Sequence, residues 1–400
     1  MKAFDDCPCA TYNKLGVFII LKTNLLIQVL LGILISQNAL ARYYDLYRAD
    51  YVKGPFCSVI GGACAADIDF DNSFFQNPAS LTAGGSNWDY DYDLIQNNNL
   101  EPGSKPGNDV NASTFMGALA FSGQKYGLGL AFLKQSTKVS ALGTFSDDAA
   151  GGIALFQTTT TASIYQFNIP FSYRVSSDFN IGISLNAIFL TDDTSVTGGG
   201  GSASNSADQI GPSLGLSIGG IYRLSPKFIT GGWLRNPMTF YSKQTIATNS
   251  PFTKFSYSED VALHYPWLWA IGIGWTPWQD KNGIYFDLNY VGTTTDGYLL
   301  TYDNFAAAEA TSRLTRKGKY AVFDPRLGIR LPWYKGSNAT ISLGSYYEHS
   351  RWEGIDGFMH YTAGFAYRFS NFKFLMFDGA EIMLGGDFAK DYTTVFLTYR

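Results

Sequence analysis

The chain has 400 residues, a formal net charge of −4 and a pI near 5.4, and only 16% of its residues are charged. This acidic balance, without a basic stripe, argues against nucleic acid as a partner. Tyr and Phe are abundant, at 26 and 30 residues, and Gly numbers 42. Few charges and many aromatic residues are typical of a lipid-facing β-barrel wall.

The N-terminus has the pattern of a secretory signal. Three lysines give a positive flank, an apolar core follows at residues 25–35, and Ala39-Leu40-Ala41 is a small-x-small cleavage site. The apolar core is too short for a stable membrane-spanning helix. We therefore expect residues 1–41 to be removed on export, so that the mature chain begins at Arg42.

Residues 42–85 show little alternation and do not look like barrel strands. This segment predicts a plug in the barrel or a periplasmic extension. It contains Cys57 and Cys64, which could form a disulfide in an oxidising periplasm, although spacing alone does not decide this. With three His in the chain and only these two cysteines after cleavage, no metal site stands out, and no cofactor is indicated.

From residue 86 onward, short segments alternate apolar and polar residues. Tyr165, Phe167 and Ile169 would lie on one face of a strand, with Gln166 and Asn168 on the other, because side chains alternate with a period of two. The pattern predicts fourteen strands, at residues 87–95, 113–122, 126–135, 165–174, 179–189, 210–223, 227–241, 266–276, 283–292, 320–331, 338–348, 358–369, 372–384 and 391–400.

The connections between these strands are alternately short and long. Outer-membrane barrels place short turns in the periplasm and long loops outside the cell. Residues 252–264 could form an extra strand, but this would break the parity, and we predict a loop there. The sequence thus predicts an all-β fold, a transmembrane antiparallel β-barrel of about fourteen strands in the outer membrane of a Gram-negative cell.

Three charged residues are predicted to face the lumen. Asp287 falls on the inner face of one strand, and Arg326 and Arg330 fall on the inner face of the next, so that they could pair across the ladder. An Arg on the lipid face near the membrane midplane would cost roughly 2–4 kcal/mol. The remaining inner positions are small or polar, such as Ser213, Gly215, Ser217, Gly219, Thr340, Ser342 and Gly344.

The segment NSFFQNPASL (residues 72–81) lies just before the first strand and contains Asn77-Pro78-Ala79. Other segments are IPFSYRVSSDFNIGISLNAIF (169–189), YRLSPKFITGGWLRNPMTF (222–240) and FDPRLGIRLPW (323–333). With the strand number and order, these resemble the FadL/TodX family of outer-membrane transporters for long-chain fatty acids and aromatic hydrocarbons, over most of residues 67–400. The resemblance implies an N-terminal hatch, here residues 42–85, inside a fourteen-stranded barrel, here residues 86–400.

The resemblance also implies passive transport of a hydrophobic small molecule, which outer loops capture and which leaves sideways into the bilayer. Apolar residues of the predicted loops fit this role: Ile153, Leu155, Phe156, Phe252, Phe255, Tyr257, Leu299, Leu300 and Phe305. Exposed apolar loops often mark a binding surface, but these could equally pack on one another as a cap. Other expected partners are outer-membrane lipid, lipopolysaccharide and the barrel assembly machinery, with the protein as a monomer.

Asn77-Pro78 allows two roles. Pro favours an extended Asn77, whose side chain can satisfy backbone groups in a turn, and this would anchor the hatch to the wall. The other role is a hinge for a gate, and the two are compatible.

Two G-x-S-x-G matches, at residues 211–215 and 215–219, fall within one strand, whereas a nucleophile elbow needs a strand-to-helix turn. No catalytic residue is therefore predicted, and the chain is not expected to be an enzyme. A general hydrophilic porin, favoured by the polar inner face, and a surface adhesin or phage receptor, favoured by the long loops, remain alternatives.

Overall fold

The structure is a computed structural model that describes residues 54–83, 87–99, 108–147, 152–198, 201–209, 212–249, 254–278, 281–293, 321–333, 337–349, 357–374, 377–389 and 392–400. Its helices are α1 (Pro55–Ser58), α2 (Asn72–Phe75) and α3 (Ser80–Ala83). No helix in these ranges is long and apolar enough to cross a membrane. The predicted signal segment, residues 1–41, lies outside the described residues.

The strands are β1 (Asn87–Asn99), β2 (Asn108–Ser122), β3 (Tyr126–Asp147), β4 (Gly152–Arg174), β5 (Phe179–Gly198), β6 (Gly201–Gln209), β7 (Ser213–Ser225), β8 (Phe228–Arg235), β9 (Met238–Asn249), β10 (Lys254–Tyr265), β11 (Leu268–Trp275), β12 (Gly283–Val291), β13 (Val322–Pro332), β14 (Ala339–Glu348), β15 (Phe358–Phe374), β16 (Phe377–Ala389) and β17 (Tyr392–Tyr399). All pair antiparallel in one sheet.

Strand β1 pairs with β2 on one side and with the last strand, β17, on the other. In three places, two successive segments lie end to end and together make one strand of the wall. These pairs of segments are β6 with β7, β8 with β9, and β10 with β11. Counted by position, the sheet has the fourteen strands that the sequence predicts. The β-barrel prediction is confirmed.

The alternation separates the two faces of the wall as predicted. In β13, the buried positions are every second residue from Val322 to Arg330, and Phe323 and Leu327 between them are exposed. Large apolar residues remain exposed on the outside of the strands whose side chains the structure describes, among them Leu128 at 55% and Ile271 at 56%. An apolar outer surface of this extent is what a lipid-facing barrel requires.

Several strands extend further than predicted. Most of residues 136–161 belong to β3 and β4, and β10 occupies the segment around 252–264, so the loop prediction there was wrong. The alternation of connections between the two ends of the barrel is unchanged, because β10 and β11 together make one strand of the wall. Backbone pairing does not require an apolar face. Thr-rich stretches such as residues 158–161 therefore form strands although their residues do not alternate between apolar and polar.

The turn predicted at Ser370-Asn371 was also misplaced. Strand β15 continues to Phe374 and β16 begins at Phe377, with a register shift between Phe369 and Lys373. A register shift of this kind breaks the two-residue alternation of the side chains, so the alternation does not locate the turn.

Prolines lie at the three places where the wall strands are divided. Pro212 precedes β7, Pro237 separates β8 from β9, and Pro266 separates β10 from β11. Proline has no N–H to donate and interrupts a ladder. Asn236 repairs one break, because its backbone N donates to Leu216 O at 3.1 Å and its side-chain Oδ1 accepts from Leu216 N at 2.6 Å.

We predict that Asn236→Ala lowers the free energy of unfolding by about 1–3 kcal/mol, since the Leu216 N–H then loses its acceptor in a wall with little water. Denaturant unfolding in lipid vesicles, followed by tryptophan fluorescence, measures this. Gln124→Ala, in the exposed turn between β2 and β3, is the control and should leave the curve in place. Equal stability of Asn236→Ala and the original chain would show that the ladder does not need this amide.

Candidate functional site: the hatch and its seat in the barrel

Residues 54–83, which we call the hatch, lie inside the barrel. Only Ser58 and Ala83 in this range are partly exposed. Helix α1 contacts β16 and β17, whereas α3 contacts β2, β3, β4, β5 and β7. The hatch therefore contacts wall strands on both sides of β1, as a plug would.

The first part of the hatch is a closed loop. Cys57 and Cys64 are joined by a disulfide, with their Cα atoms 5.7 Å apart. Between them, Gly61 and Gly62 have φ values of 66° and 68°, a left-handed conformation that Gly adopts without steric cost. The disulfide restricts the unfolded chain and so favours this compact loop, residues 57–64, which we call the finger.

The finger rests against the inner face of β13–β16. Gly61 N donates to Thr362 Oγ1 at 2.9 Å, and Thr362 Oγ1 donates to Val59 O at 2.9 Å. A Cβ atom at Gly344 or Gly364 would collide with the finger, with its backbone in the first case and with Val59 in the second. Glycine on the wall thus allows the two backbones to approach closely.

Asn77-Pro78-Ala79 is tied to the wall between β5 and β7. Asn77 Nδ2 donates to Ala65 O at 2.7 Å within the hatch and to Gly220 O at 3.1 Å on β7. Its Oδ1 accepts from Ala79 N at 3.2 Å. Pro78 lies against Gly182 and Gly219, where a Cβ would clash with the motif. The side chain of Asn77 uses its donors and its acceptor at once, and these contacts support the anchoring role.

An apolar cluster holds the hatch on the side of β2 and β3. Phe70, Phe74 and Phe75 pack with Met116 of β2 and Leu133 of β3, and all five are buried. The rings of Phe70 and Phe74 meet edge to face with centroids 6.0 Å apart. Aromatic contacts of this kind stabilise the packing beyond the burial of area.

An ionic network holds the opposite side of the hatch. Asp67 Oδ2 lies 3.0 Å from Arg330 Nη2, and Asp69 lies 3.7 Å from Arg330, 2.5 Å from Arg400 and 3.4 Å from Lys281. Both carboxylates are buried. Since Lys281 and Arg400 lie at the short-turn end of the barrel, the hatch is fastened at that end.

Arg400 connects the hatch to the barrel twice. Its Nη2 lies 2.8 Å from Glu381 of β16, and its guanidinium lies 3.5 Å from the ring centroid of Phe56 in α1. A cation over an aromatic face is favourable, especially where water is excluded. Arg400 therefore joins the end of β17 to two separate points of the hatch, Phe56 and Asp69.

The two hatch carboxylates respond differently to burial. Burial alone would raise the pKa of Asp69, but the charges of Arg400, Lys281 and Arg330 outweigh it and hold that pKa well below its usual range. Burial raises the pKa of Asp67, with Asp69 as a neighbouring like charge and Arg330 opposing the rise. Asp69 is thus the carboxylate whose ionised form the network stabilises most clearly.

The predicted lumen charges lie on the inner face and face the hatch. Asp287 Oδ2 accepts a hydrogen bond from Ala65 N at 2.6 Å. Arg326 lies opposite Asp287 in the ladder, and its Nη1 donates to Gly61 O at 3.4 Å. Arg330 pairs with Asp67 of the hatch. The sequence placed these residues in the lumen but did not anticipate that the hatch supplies their partners.

A second polar cluster on the inner wall was missed. His360 has Asp387 Oδ1 at 2.9 Å from Nδ1 and Glu348 Oε2 at 3.3 Å from Nε2, and it stacks on Tyr346 with ring centroids 4.2 Å apart. Tyr346 Oη donates to Asp387 Oδ2 at 2.6 Å. Strand alternation could have placed these four on one face, but it does not reveal their mutual contacts. An imidazole held between two carboxyl groups and stacked on a tyrosine indicates a structural polar cluster.

The predicted capture residues are only partly described. Ile153, Leu155 and Phe156 lie in β4, and Phe255 and Tyr257 lie in β10, so these five belong to strands and not to loops. Phe252, Leu299, Leu300 and Phe305 lie outside the described residues. A role in capture stays a prediction.

We predict that Asp69→Asn loosens the hatch, because it leaves Arg400 and Lys281 buried or half-buried beside a neutral group. Breaking a buried ion pair costs about 3–5 kcal/mol. Hydrogen exchange of residues 54–83 in the intact barrel should become faster, whereas Asp178→Asn in an exposed turn should not change it.

The same ion pairs should make the hatch sensitive to acid. Because the pKa of Asp69 is lowered in the folded protein, its stabilisation is complete above about pH 4 and is lost as the pH falls below that value. The hatch amides of Asp69→Asn and of the original chain could instead exchange at the same rate, both at pH 7 and at pH 3. That result would contradict a stabilising role for the Asp69 ion pairs.

No family model matches the chain, and no curated protein matches it either. Solved structures do match. The Pseudomonas putida toluene transporter TodX has a TM-score of 0.58 and 12% identity, covering 86% of this chain and 96% of its own. The Ralstonia pickettii toluene transporter TbuX has a TM-score of 0.59 and 14% identity, covering 86% and 97%. A Pseudomonas aeruginosa FadL homologue has a TM-score of 0.58 and 12% identity, covering 86% and 95%. The chain therefore has the fold of the FadL/TodX channels, as the resemblance in its sequence predicts.

Proposed function

We propose that the protein is a passive outer-membrane channel for hydrophobic small molecules, either long-chain fatty acids or hydrocarbons. In this proposal, the outer ends of the barrel capture the solute, which then moves past the hatch. The observation that carries the proposal is the hatch itself, packed against wall strands on both sides of β1 and fastened by ion pairs at the short-turn end. A lumen filled in this way argues against free diffusion of hydrophilic solutes.

The inner wall beside the hatch supports a hydrophobic solute. Met116, Leu133, Ile164 and Ile188 are buried, inward-facing residues on the adjacent strands β2, β3, β4 and β5. Ligand sites are mostly apolar with a few placed polar groups. The shared fold with two toluene transporters and a FadL homologue adds support, although a fold alone does not determine a solute.

The proposal extends to location and processing. Residues 1–41 would direct export and be removed, residues 42–85 would form the complete hatch, and residues 86–400 would form the barrel in the outer membrane. The exposed apolar outer wall supports a membrane location, because a water-exposed surface of this kind would associate or aggregate.

The first test uses the intact chain. We expect deletion of its gene to reduce uptake of radiolabelled toluene or hexadecanoate, and a plasmid copy to restore it. In planar bilayers, the purified protein should show no steady ion conductance. Unchanged uptake of both compounds would reject the transporter. Steady conductance would favour the hydrophilic porin, and binding of a phage or cell surface without uptake would favour a receptor.

The second test addresses capture. Phe255 and Tyr257 are alternate residues of β10 and so share one face of the strand. Replacing both with Ser should reduce uptake at low solute concentration roughly a hundredfold or more, since burial of each ring against the solute provides about 1.5–3 kcal/mol. Ser256→Ala with Ser258→Ala, on the opposite face, is the matched control. Equal uptake by both double variants would exclude a capture role for these two aromatic residues.

A further inference from the structure

A group of neutral polar side chains lies together on the inner face of β4 and β5. Gln166 and Asn168 are on β4, and Ser184 and Asn186 are on β5. Asn168 is directly opposite Asn186 in the ladder, and Ser184 is two residues further along the same face. Diagonal neighbours of this kind are roughly 7–8 Å apart at the backbone, within reach of side-chain contacts or of one bridging ligand. We call these four residues the amide patch.

Three polar atoms of the amide patch have no hydrogen-bond partner in the described part of the chain. Gln166 is 1% exposed, Asn168 0% and Ser184 2%. Gln166 Nε2 donates to Asn168 Oδ1 at 2.9 Å, and Asn186 Nδ2 donates to Ser217 Oγ at 3.0 Å. This leaves Gln166 Oε1, Asn168 Nδ2 and Ser184 Oγ.

Unpartnered atoms at this depth need an explanation. A buried donor or acceptor without a partner destabilises the fold, and buried polar groups in folded proteins are nearly always paired with protein, water or ligand. The side-chain amides of Asn and Gln each carry an NH2 donor and a carbonyl acceptor. The patch can therefore both donate and accept a hydrogen bond, even if the oxygen and nitrogen of an amide exchange places.

The surroundings of the amide patch are apolar and small. Leu133 and Ile188 lie opposite Gln166 in the two neighbouring strands, and Ala131 lies opposite Asn168. All three are inward-facing, and Leu133 and Ala131 belong to the apolar cluster that contacts the hatch aromatics. A few convergent polar groups in an apolar wall are the usual design of a small-molecule site.

The pairing of the described lumen cations argues against an anionic group at this place. Arg330 and Arg400 are paired with Asp67, Asp69 and Glu381. Ser184 of β5 lies opposite Ser217 of β7, and Ser217 lies opposite Arg235 of β8. Arg235 is therefore two strands, or about 10 Å, away from Ser184. Arg235 also has interaction partners of its own. A buried carboxylate without a paired cation is strongly disfavoured, whereas a neutral hydroxyl is not.

We propose that the amide patch binds the hydroxyl group of a neutral hydrophobic solute, such as a long-chain alcohol or a phenol. The hydroxyl would accept a hydrogen bond from an amide N–H of the patch and donate one to an amide oxygen or to Ser184. The apolar part of the solute would lie along Leu133 and Ile188. This inference rests on the proposed transport function and adds the class of solute that the channel distinguishes.

The test compares uptake of dodecane, 1-dodecanol and dodecanoate by cells that carry the full chain as their only copy. Wild type should prefer 1-dodecanol. Asn168→Leu keeps a similar volume but removes the amide, and it should lower uptake of subsaturating 1-dodecanol roughly five- to thirty-fold, the effect of one or two kcal/mol, without changing dodecane uptake. Ser184→Ala removes only a hydroxyl and should act in the same direction if Asn168→Leu fails to fold.

Thr394→Val is the matched control, since Thr394 is a buried inner residue of β17 whose hydroxyl also has no partner among the described residues. It should leave all three uptakes unchanged. Equal loss of 1-dodecanol and dodecane uptake, or no loss of either, would overturn the proposal and assign water to the patch. A preference for dodecanoate would overturn it in favour of an ionic site. If wild type takes up none of the three, the transport function itself fails, which is a separate result.

Discussion

The pairing of backbone polar groups governs this structure. In hydrocarbon, an unpaired N–H or C=O costs several kcal/mol, so strands that cross a membrane must pair on both sides. Here β1 pairs with both β2 and β17, and every strand between them has partners. Even where Pro237 interrupts the ladder, Asn236 supplies an acceptor for Leu216 N–H. Since this requirement fixes the wall, the selectivity of the proposed channel would have to arise from what the lumen contains.

The fit between hatch and wall follows from two opposite kinds of contact. On the side of β2 and β3, aromatic residues of the hatch pack against aliphatic wall residues. On the side of β13 and β17, Asp67 and Asp69 pair with Arg330 and Arg400. Neither side would accept the other's partner, because an unpaired buried charge is costly. The contacts therefore specify the orientation of the hatch as well as its presence.

Strand alternation predicted the wall, its two faces and the inner position of Asp287, Arg326 and Arg330, since a period of two determines which residues share a face. It could not predict that Asp67 would pair with Arg330, because 263 residues separate them and only the folded barrel brings them together. The parity of the connections misled the prediction for β10, because β10 and β11 share one position in the wall and leave the parity intact. Asn77-Pro78-Ala79 was noticed as a motif, but its wall contacts depend on Gly182 and Gly219, which looked like ordinary small inner residues.

Under the proposed function, the distribution of charge in the lumen would connect the hatch to the choice of solute. Fastening the hatch occupies Arg330, Arg400 and Lys281 with hatch carboxylates, and Arg326 contacts the finger through Gly61 O. A cation that already has a buried carboxylate as partner has little to offer the headgroup of a fatty acid. The unpartnered polar atoms on β4 and β5, in contrast, belong to neutral amides and a hydroxyl. In the proposed channel, the ion pairs that hold the hatch in place would thus also favour neutral solutes, because among the described residues they leave hydrogen bonding by neutral groups as the polar interaction beside the hatch.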